Sequence, residues 1–302
     1  MSYPLISAPY FKGLPLEKDT MTRSLARFHL YRYQLLPVDR YFQGDLYGAA
    51  TVEELISKKN KIFAEALSSP TAFVGGRTQT ATQLLVEAED FLLYRIAANR
   101  SLQHETRDFQ TEVIDNWPKI LLVIWNSPER QLIAVQHRVT AFQETEAVLK
   151  LVFDSIEPIL AKNQLTAIWE TLFEKKVFWD LVEKFKGKIQ EVDFELVTPN
   201  MANISGVLPE NLREFSKRTN AVKSNVSITS DASSALKIDP NDPIVNALVE
   251  YSSEGGGDIA LRLAGIKKKI HTSRTVREVT IDETSLQGTP ENVASILREL
   301  LA

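Results

Sequence analysis

Four histidines, His29, His104, His137 and His271, and no cysteine stand in this chain. Without cysteine there is no disulfide, no thiolate zinc site and no thiol nucleophile. The histidines form neither HxH nor HExxH, so a zinc site would have to draw its ligands from distant segments. No metal and no cofactor is assigned. A phosphate-binding GxxxxGK[ST] loop is missing. The glycine-rich stretches Val74–Arg77 and Gly255–Gly257 are not GxGxxG turns between a strand and a helix. Gly255–Gly257 follows a helical pattern and precedes a strand pattern, so it reads as a helix stop and turn. Serine has no GxSxG elbow or SxxK to sit in. The hydroxyl-rich run Ser224–Ser234 lacks a nearby histidine and reads as exposed strand and loop. Carboxylates are plentiful: Glu87, Glu89, Asp90, Asp108, Glu112 and Asp115. A metal-dependent nuclease or nucleotide-processing enzyme would need two or three to converge, with Glu87, Glu89 and Asp108 as candidates, and the spacing fixes no such set. No catalytic residue is assigned.

Cationic residues are more informative. Residues 262–277 contain Arg262, Lys267, Lys268, Lys269, Arg274 and Arg277 and no acid. Upstream, Arg213, Lys217, Arg218 and Lys223 surround the single Glu214. If the sheet order brings these together, Arg218, Lys223 and the strip form a positive surface. Such a surface binds phosphate backbones without reading bases. A second reading stands beside it: Glu191, Asp193 and Glu195 on the outer face of one strand pair across the sheet with Lys223, Arg262 and Lys269. Another group, Arg23, Arg27, Arg32 and Arg40, is interleaved with Phe28, Tyr31, Tyr33 and Tyr41. It suits base stacking or a strand packed on a core with its arginines reaching to solvent.

The elements that must position these residues follow from periodicity. Residues 26–36 read as a strand stopped by Pro37. Thr51-Val-Glu-Glu54 is a capping box that opens a helix over 52–67, ended at Ser68-Ser-Pro70. Leu84–Ile96 reads as strand material. Ile120–Asn126 and Gln131–His137 flank a short polar turn and read as a β-hairpin. One helix carries Phe142, Leu149, Val152, Ile156 and Ile159, with Pro158 as a kink or end. A second, about 163–186, is apolar on too wide a face for a single stripe, and Gly187 caps it. Its Trp169, Phe173 and Trp179 are the expected subunit or domain interface. Then Glu191–Leu196 alternates as a strand, and Pro209 opens a short helix with Leu212 and Phe215. Val222, Val226 and Ile228 alternate again. Asp242-Pro243 opens another helix. Ile259–Leu263 is a strand, Gly265 turns into a further strand over about 267–281, and Thr289-Pro290 caps a final helix.

The class is therefore α+β: an N-terminal α/β piece with a β-hairpin (1–140), a central helical pair (141–187) and a C-terminal β-α-β-α-β-β-α unit with a mainly antiparallel sheet (188–302). The chain has 302 residues, 44% hydrophobic and 25% charged, with a net charge of −4. Those values exclude a disordered or collagen-like chain and a uniformly basic nucleic-acid coat. The start, Met1–Asp19, lacks a basic segment followed by an apolar run, so no secretion signal is expected. The apolar run Ile120–Trp125 is strand-length rather than membrane-length. A cytoplasmic location is the expectation.

The layout, with Lys119–Trp125 in the first part and Gly257–Gly265 leading into the basic hairpin, resembles the phage-exclusion and abortive-infection proteins of the RexA and KwaB type. That resemblance implies DNA binding and a homo-oligomer in bacterial anti-phage defence. It transfers no catalytic residue. The leading expectation is a non-enzymatic, homodimeric protein that binds DNA non-specifically. A scaffold that recognises a phage or partner protein is the third reading, after the enzyme.

Overall fold

The computed structural model describes residues 24–39, 51–69, 73–74, 78–197, 210–219 and 221–302. Met1–Arg23, Arg40, Tyr41, Pro70, Gly75, Gly76, Arg77 and Pro209 lie outside them, as do the side chains of Leu212, Arg213 and Lys217. The class is α+β, built on antiparallel sheets.

The first strand, β1 (Leu25–Pro37), is the axis of the larger sheet. Its residues are apolar on both faces because both faces are covered. Tyr31, Tyr33 and Leu35 enter one core, and Ala26, Phe28 and Leu30 enter the opposite one. Phe28, Tyr31 and Tyr33 thus serve burial rather than base stacking, and Arg32 is itself buried, beside Gly255.

Helix α1 (Val52–Leu67) opens as the capping box requires: the Thr51 hydroxyl accepts from the Glu54 amide at 3.2 Å. Helix α2 (Glu146–Lys162) runs on through Pro158 and buries Leu149, Val152 and Ile156 against the same face.

The strand material expected over 84–96 is a hairpin, β2 (Thr80–Ala88) and β3 (Phe91–Ala98), broken at Glu89 and Asp90. Glu89 sits in the left-handed region at φ +48°, and Glu89-Asp90 is the turn between the two strands. Next comes a small exposed hairpin, β4 (Leu102–Glu105) and β5 (Thr111–Ile114). Then β6 (Lys119–Asn126) and β7 (Gln131–His137) form the expected hairpin.

The second expected helix, 163–186, is not one helix. Leu165–Thr171 is strand β8, and only Lys175–Lys184 is helical, as α3. LTAIWET also alternates with period two, and its β-branched Thr166, Ile168 and Thr171 favour the extended form. The all-round apolar pattern belonged to two elements in different environments.

In the smaller sheet stand β9 (Ile189–Val197), β10 (Lys223–Thr229), β11 (Ile259–Leu263) and β12 (Ile270–His271), in the order β10-β9-β11-β12. Helix α4 (Glu210–Arg218) precedes β10, and its Phe215 is exposed rather than buried. Helix α5 (Pro243–Tyr251) starts at Asp242, whose carboxylate accepts from the amides of Ile244 and Val245.

The strand expected over 267–281 is broken. After β12 and a 3-10 turn the chain leaves this sheet, and β13 (Glu278–Asp282) pairs with β1. The last helix, α6 (Pro290–Leu301), covers the far face of the larger sheet through Val293, Leu297 and Leu301. The expected C-terminal unit therefore ends early, and its last strand and helix complete the N-terminal sheet.

The larger sheet runs β13-β1-β7-β6-β3-β2, with β8 also on β1. Strand β1 pairs with β13 over residues 25–29 and with β8 over 31–37. Between them, at Leu30, the chain leaves and returns: the Leu172 amide donates to Leu30, and the Leu30 amide donates to Arg277. Residues 173–276 are thus inserted into the larger sheet, and its two connecting strands pass side by side. The expected boundary at 188 instead falls between α3 and β9, both of which build the smaller core.

Arg277 fastens this junction. Its guanidinium donates to the Phe173 carbonyl at 3.1 Å and to Glu254 at 2.9 Å, and pairs with Glu174 at 2.9 Å. Arg277→Ala is expected to cost about 1.5 kcal/mol, the usual worth of a charge-assisted hydrogen bond. Chemical denaturation followed by circular dichroism measures it. A loss below a few tenths of a kcal/mol means that the backbone bonds alone hold the two connections.

Candidate nucleic-acid interface

The smaller sheet decides whether the cationic strip is a surface. Strand β9 exposes Glu191, Asp193 and Glu195 on the face where its neighbours carry cations. Arg262 pairs with Glu191 at 2.7 Å. Lys269 reaches Glu191 at 2.8 Å and also pairs with Asp193. Lys223 lies 2.9 Å from Glu170 and 2.5 Å from Glu195. These are the cross-strand pairs of the second sequence reading. Burial opposes the charge on Lys223, yet its hydrogen bonds to Glu195 and Glu170 prevail and hold the ammonium above its ordinary pKa. Hydrogen bonds to Asp193 and Glu191 do the same for Lys269.

The candidate set is therefore divided. Arg262, Lys269 and Lys223 are neutralised across the sheet, and Arg277 is committed to the junction. Arg274 is exposed beyond β12, and Arg218 is exposed at the end of α4. Both belong to the end of the sheet away from the β11–β12 turn. Only Lys267 and Lys268 remain exposed at that turn. The continuous strip expected over 262–277 does not form one face, because the strand meant to carry it is split between two sheets.

Lys267 and Lys268 do have cationic neighbours from other segments. The Ala264 amide donates to the Lys188 carbonyl at 2.8 Å, so the β11–β12 turn lies beside Lys186-Gly-Lys188. The Leu236 amide donates to the Ile189 carbonyl at 2.8 Å, which brings Lys237 to the same end. Segments 183–188, 234–240 and 264–268 together hold six lysines, Lys184, Lys186, Lys188, Lys237, Lys267 and Lys268, against two acids, Glu183 and Asp239. All six are exposed. Of these six, only Lys186 has an ion pair among the described residues, with Glu183 at 3.6 Å. Solvent-exposed pairs of that kind are weak and screened. Two turn glycines with positive φ, Gly187 at +75° and Gly265 at +76°, present these segments at the sheet end.

Lys184, Lys186, Lys188 and Lys237 were missed in the sequence. The alternation in Lys184-Phe-Lys-Gly-Lys188 was a usable signal, but it was absorbed into the end of an over-long helix. Lys237 becomes relevant only through the hydrogen bond to Ile189.

Beside this end a cleft of about 930 Å³ opens between α3 and the 234–240 segment. Trp179 and Val182 form one wall, Leu236 and Ile238 the other, with Lys186 and Lys237 among its lining. Of the residues expected at an interface, Trp179 is half-buried here. Trp169 is half-buried on β8 against Tyr31, with ring centroids 5.9 Å apart. Phe173 is fully buried in the smaller core and offers no surface.

No family model, curated protein or solved structure matches this chain. The site stands on its own geometry.

The remaining chemistry-bearing residues do not assemble. Glu87 and Glu89 lie at the β2–β3 turn, and Asp108 is at the tip of the β4–β5 hairpin, beyond the opposite end of β3. Eight residues of strand separate them by roughly 25 Å. Among the described residues no group of three or more histidines and carboxylates is placed to share a metal ion. No described helix is long and apolar enough to cross a membrane.

Two histidines do meet. His29 on β1 stacks on His137 of β7, with ring centroids 4.6 Å apart. His29 Nδ1 lies 2.9 Å from the Thr145 hydroxyl. Burial, and next His137, depress the His29 pKa. The folded state therefore takes up this proton at lower pH than the unfolded chain. Stability is full above the ordinary value of 6.5 and falls as the pH drops below it. Thermal melts between pH 7.5 and 5 are expected to show that decline, and His29→Gln to reduce it. An unchanged slope in the variant removes the assignment.

Proposed function

We propose that this protein binds DNA without sequence readout, through phosphate contacts made by the lysine-rich end of its smaller sheet. The observation that carries the reading is the convergence of Lys184, Lys186, Lys188, Lys237, Lys267 and Lys268 on a chain whose net charge is −4. An end with six lysines against two acids, on an acidic molecule, attracts phosphate locally. Lysines supply point charges rather than the bidentate forks that read guanine, so contact positions the nucleic acid without specifying sequence. The reading assigns no bond-making step to this surface. A role in anti-phage defence, and a homo-oligomeric state, rest on the layout resemblance to the RexA and KwaB type.

Anisotropy titration of a labelled duplex across salt tests the reading. If four phosphates are neutralised, affinity is expected to fall roughly 100-fold between 50 and 200 mM salt. The quadruple variant Lys186→Glu, Lys188→Glu, Lys267→Glu, Lys268→Glu is expected to abolish binding. Arg262→Glu, which alters a neutralised position, is expected to change it far less. Absence of binding at low salt, or binding indifferent to the quadruple variant, overturns the proposal. Phage plating on cells carrying the native or the quadruple variant tests the defence role separately.

A further inference from the structure

We propose that the cleft beside the lysines receives an unpaired nucleobase, so that this surface holds single-stranded segments more tightly than duplex. The inference rests on the nucleic-acid reading and names the form of DNA that the site prefers.

Three observations point this way. First, an indole that packs on the core lines the cleft. Trp179 packs edge-on against Phe178, with centroids 4.9 Å apart and planes at 75°, and Phe178 is itself fully buried. That contact restrains the indole before any ligand arrives, which lowers the ordering cost of binding. Second, the walls facing it are apolar, and the volume of about 930 Å³ lies within the range of small-molecule sites. A planar base with its sugar fits such a space. A base inside a duplex does not, because it is already stacked and paired. Third, the charge beside the cleft suits the strand that leads away from a captured base. Lys186 and Lys237 line it from opposite segments, and Lys188, Lys267 and Lys268 continue the positive surface beyond it.

Glu183 and Asp239 also line the cleft and offset its two lysines, so the excess positive charge is that of Lys188, Lys267 and Lys268 just beyond it. Glu183 is paired with Lys186 at 3.6 Å. Asp239 is turned back on its own loop, accepting from the Asn241 amide at 2.8 Å and from its side chain at 3.2 Å. An apolar wall with few hydrogen-bonding groups stacks any base and discriminates poorly between them. The expected behaviour is a preference for strandedness with little preference for sequence.

The test compares a 20-nucleotide single strand with the matching duplex at one salt concentration, using the native chain, Trp179→Ala and Trp179→Phe. Stacking of one base on an aromatic side chain corresponds to about a tenfold gain in affinity, within a wide range. The single strand is expected to bind roughly tenfold more tightly than the duplex. Trp179→Ala should erase that advantage and leave duplex affinity unchanged, and Trp179→Phe should retain most of it. Indole emission should be quenched by the single strand in the native chain and much less in Trp179→Phe. Thermal melting of each variant checks that it is folded, and Trp179→Phe keeps the test open if the alanine variant is not. Lysine-dependent binding with equal affinity for both forms overturns this inference and leaves the nucleic-acid reading intact. So does an apolar dye that occupies the cleft and is not displaced by the oligonucleotide. No lysine-dependent binding to either form overturns both.

Discussion

Gly257→Ala is expected to destabilise the smaller sheet by more than about 4 kcal/mol, a cost reached only by severe backbone or core lesions. Two independent effects add at this position. Gly257 has φ +136°, a region that side chains other than glycine rarely adopt. A Cβ there would stand 1.8 Å from the Glu195 carbonyl oxygen and 2.7 Å from its carbon. Those atoms are backbone of β9, which is hydrogen-bonded on both sides by β10 and β11. Moving them means breaking the ladder that also carries the Glu191 and Asp193 ion pairs. The neighbours are close-packed too: a Cβ on Gly255 would meet the Arg32 Cβ at 2.5 Å, and one on Gly256 the Tyr251 ring at 2.4 Å. Gly187→Ala is the control. It also has positive φ, +75°, but nothing lies within 4 Å of the added carbon. It should cost only about 1 kcal/mol, the left-handed penalty alone. Urea denaturation followed by tryptophan emission measures both variants. Equal effects at the two positions contradict the close-packing argument.

That glycine triplet shows what the sequence could and could not say. Its position between a helix and a strand was readable, and so was its role as a turn. Its tightness was not, because Arg32 of β1 and Glu195 of β9, whose atoms Gly255 and Gly257 must avoid, are distant in sequence. The same division runs through the molecule. Strand β1, helix α1, the β6–β7 hairpin and the alternation of β9 were legible, since each is set by local periodicity and by caps such as Thr51 and Asp242. The insertion of 173–276 was not. It depends on β1 changing partners at Leu30, and nothing local in residues 25–37 marks that change. Misreading followed directly from it. An apolar run that crosses between two cores, Leu165–Phe185, looks like one helix with too wide a face. A run of cations that passes from one sheet to the other, Arg262–Arg277, looks like one positive surface. Arg277 belongs to the junction, while Lys267 and Lys268 find their companions in Lys186, Lys188 and Lys237 through two backbone hydrogen bonds. The carboxylates opposite Arg262, Lys269 and Lys223 were legible as alternation, and cross-strand register decides that they are spent on those cations.

Lys59→Met is expected to raise stability by roughly 3 kcal/mol at pH 7, the free energy that corresponds to its pKa displacement. Helix α1 buries a stripe of Leu55, Lys59, Phe63 and Leu67, four residues apart, so the lysine occupies an apolar position. Only 3% of it is exposed. Burial lowers its pKa from 10.5 to about 8. The sign follows from proton counting. Below about pH 8 folded and unfolded chains both hold this proton, and the cost of burying the charge is present in full. Between 8 and 10.5 the unfolded chain keeps a proton that the folded chain has released, so native stability climbs with pH. Methionine keeps the unbranched stem and removes the charge. Its advantage should therefore be largest near neutrality and shrink steadily towards pH 10.5. Urea midpoints of the two proteins, measured side by side from pH 7 to 10.5, decide the matter, because every other titrating group is common to both and cancels in the difference. Parallel curves, or a methionine variant less stable than the native chain at pH 7, show that the ammonium reaches solvent along the helix and bears no such cost.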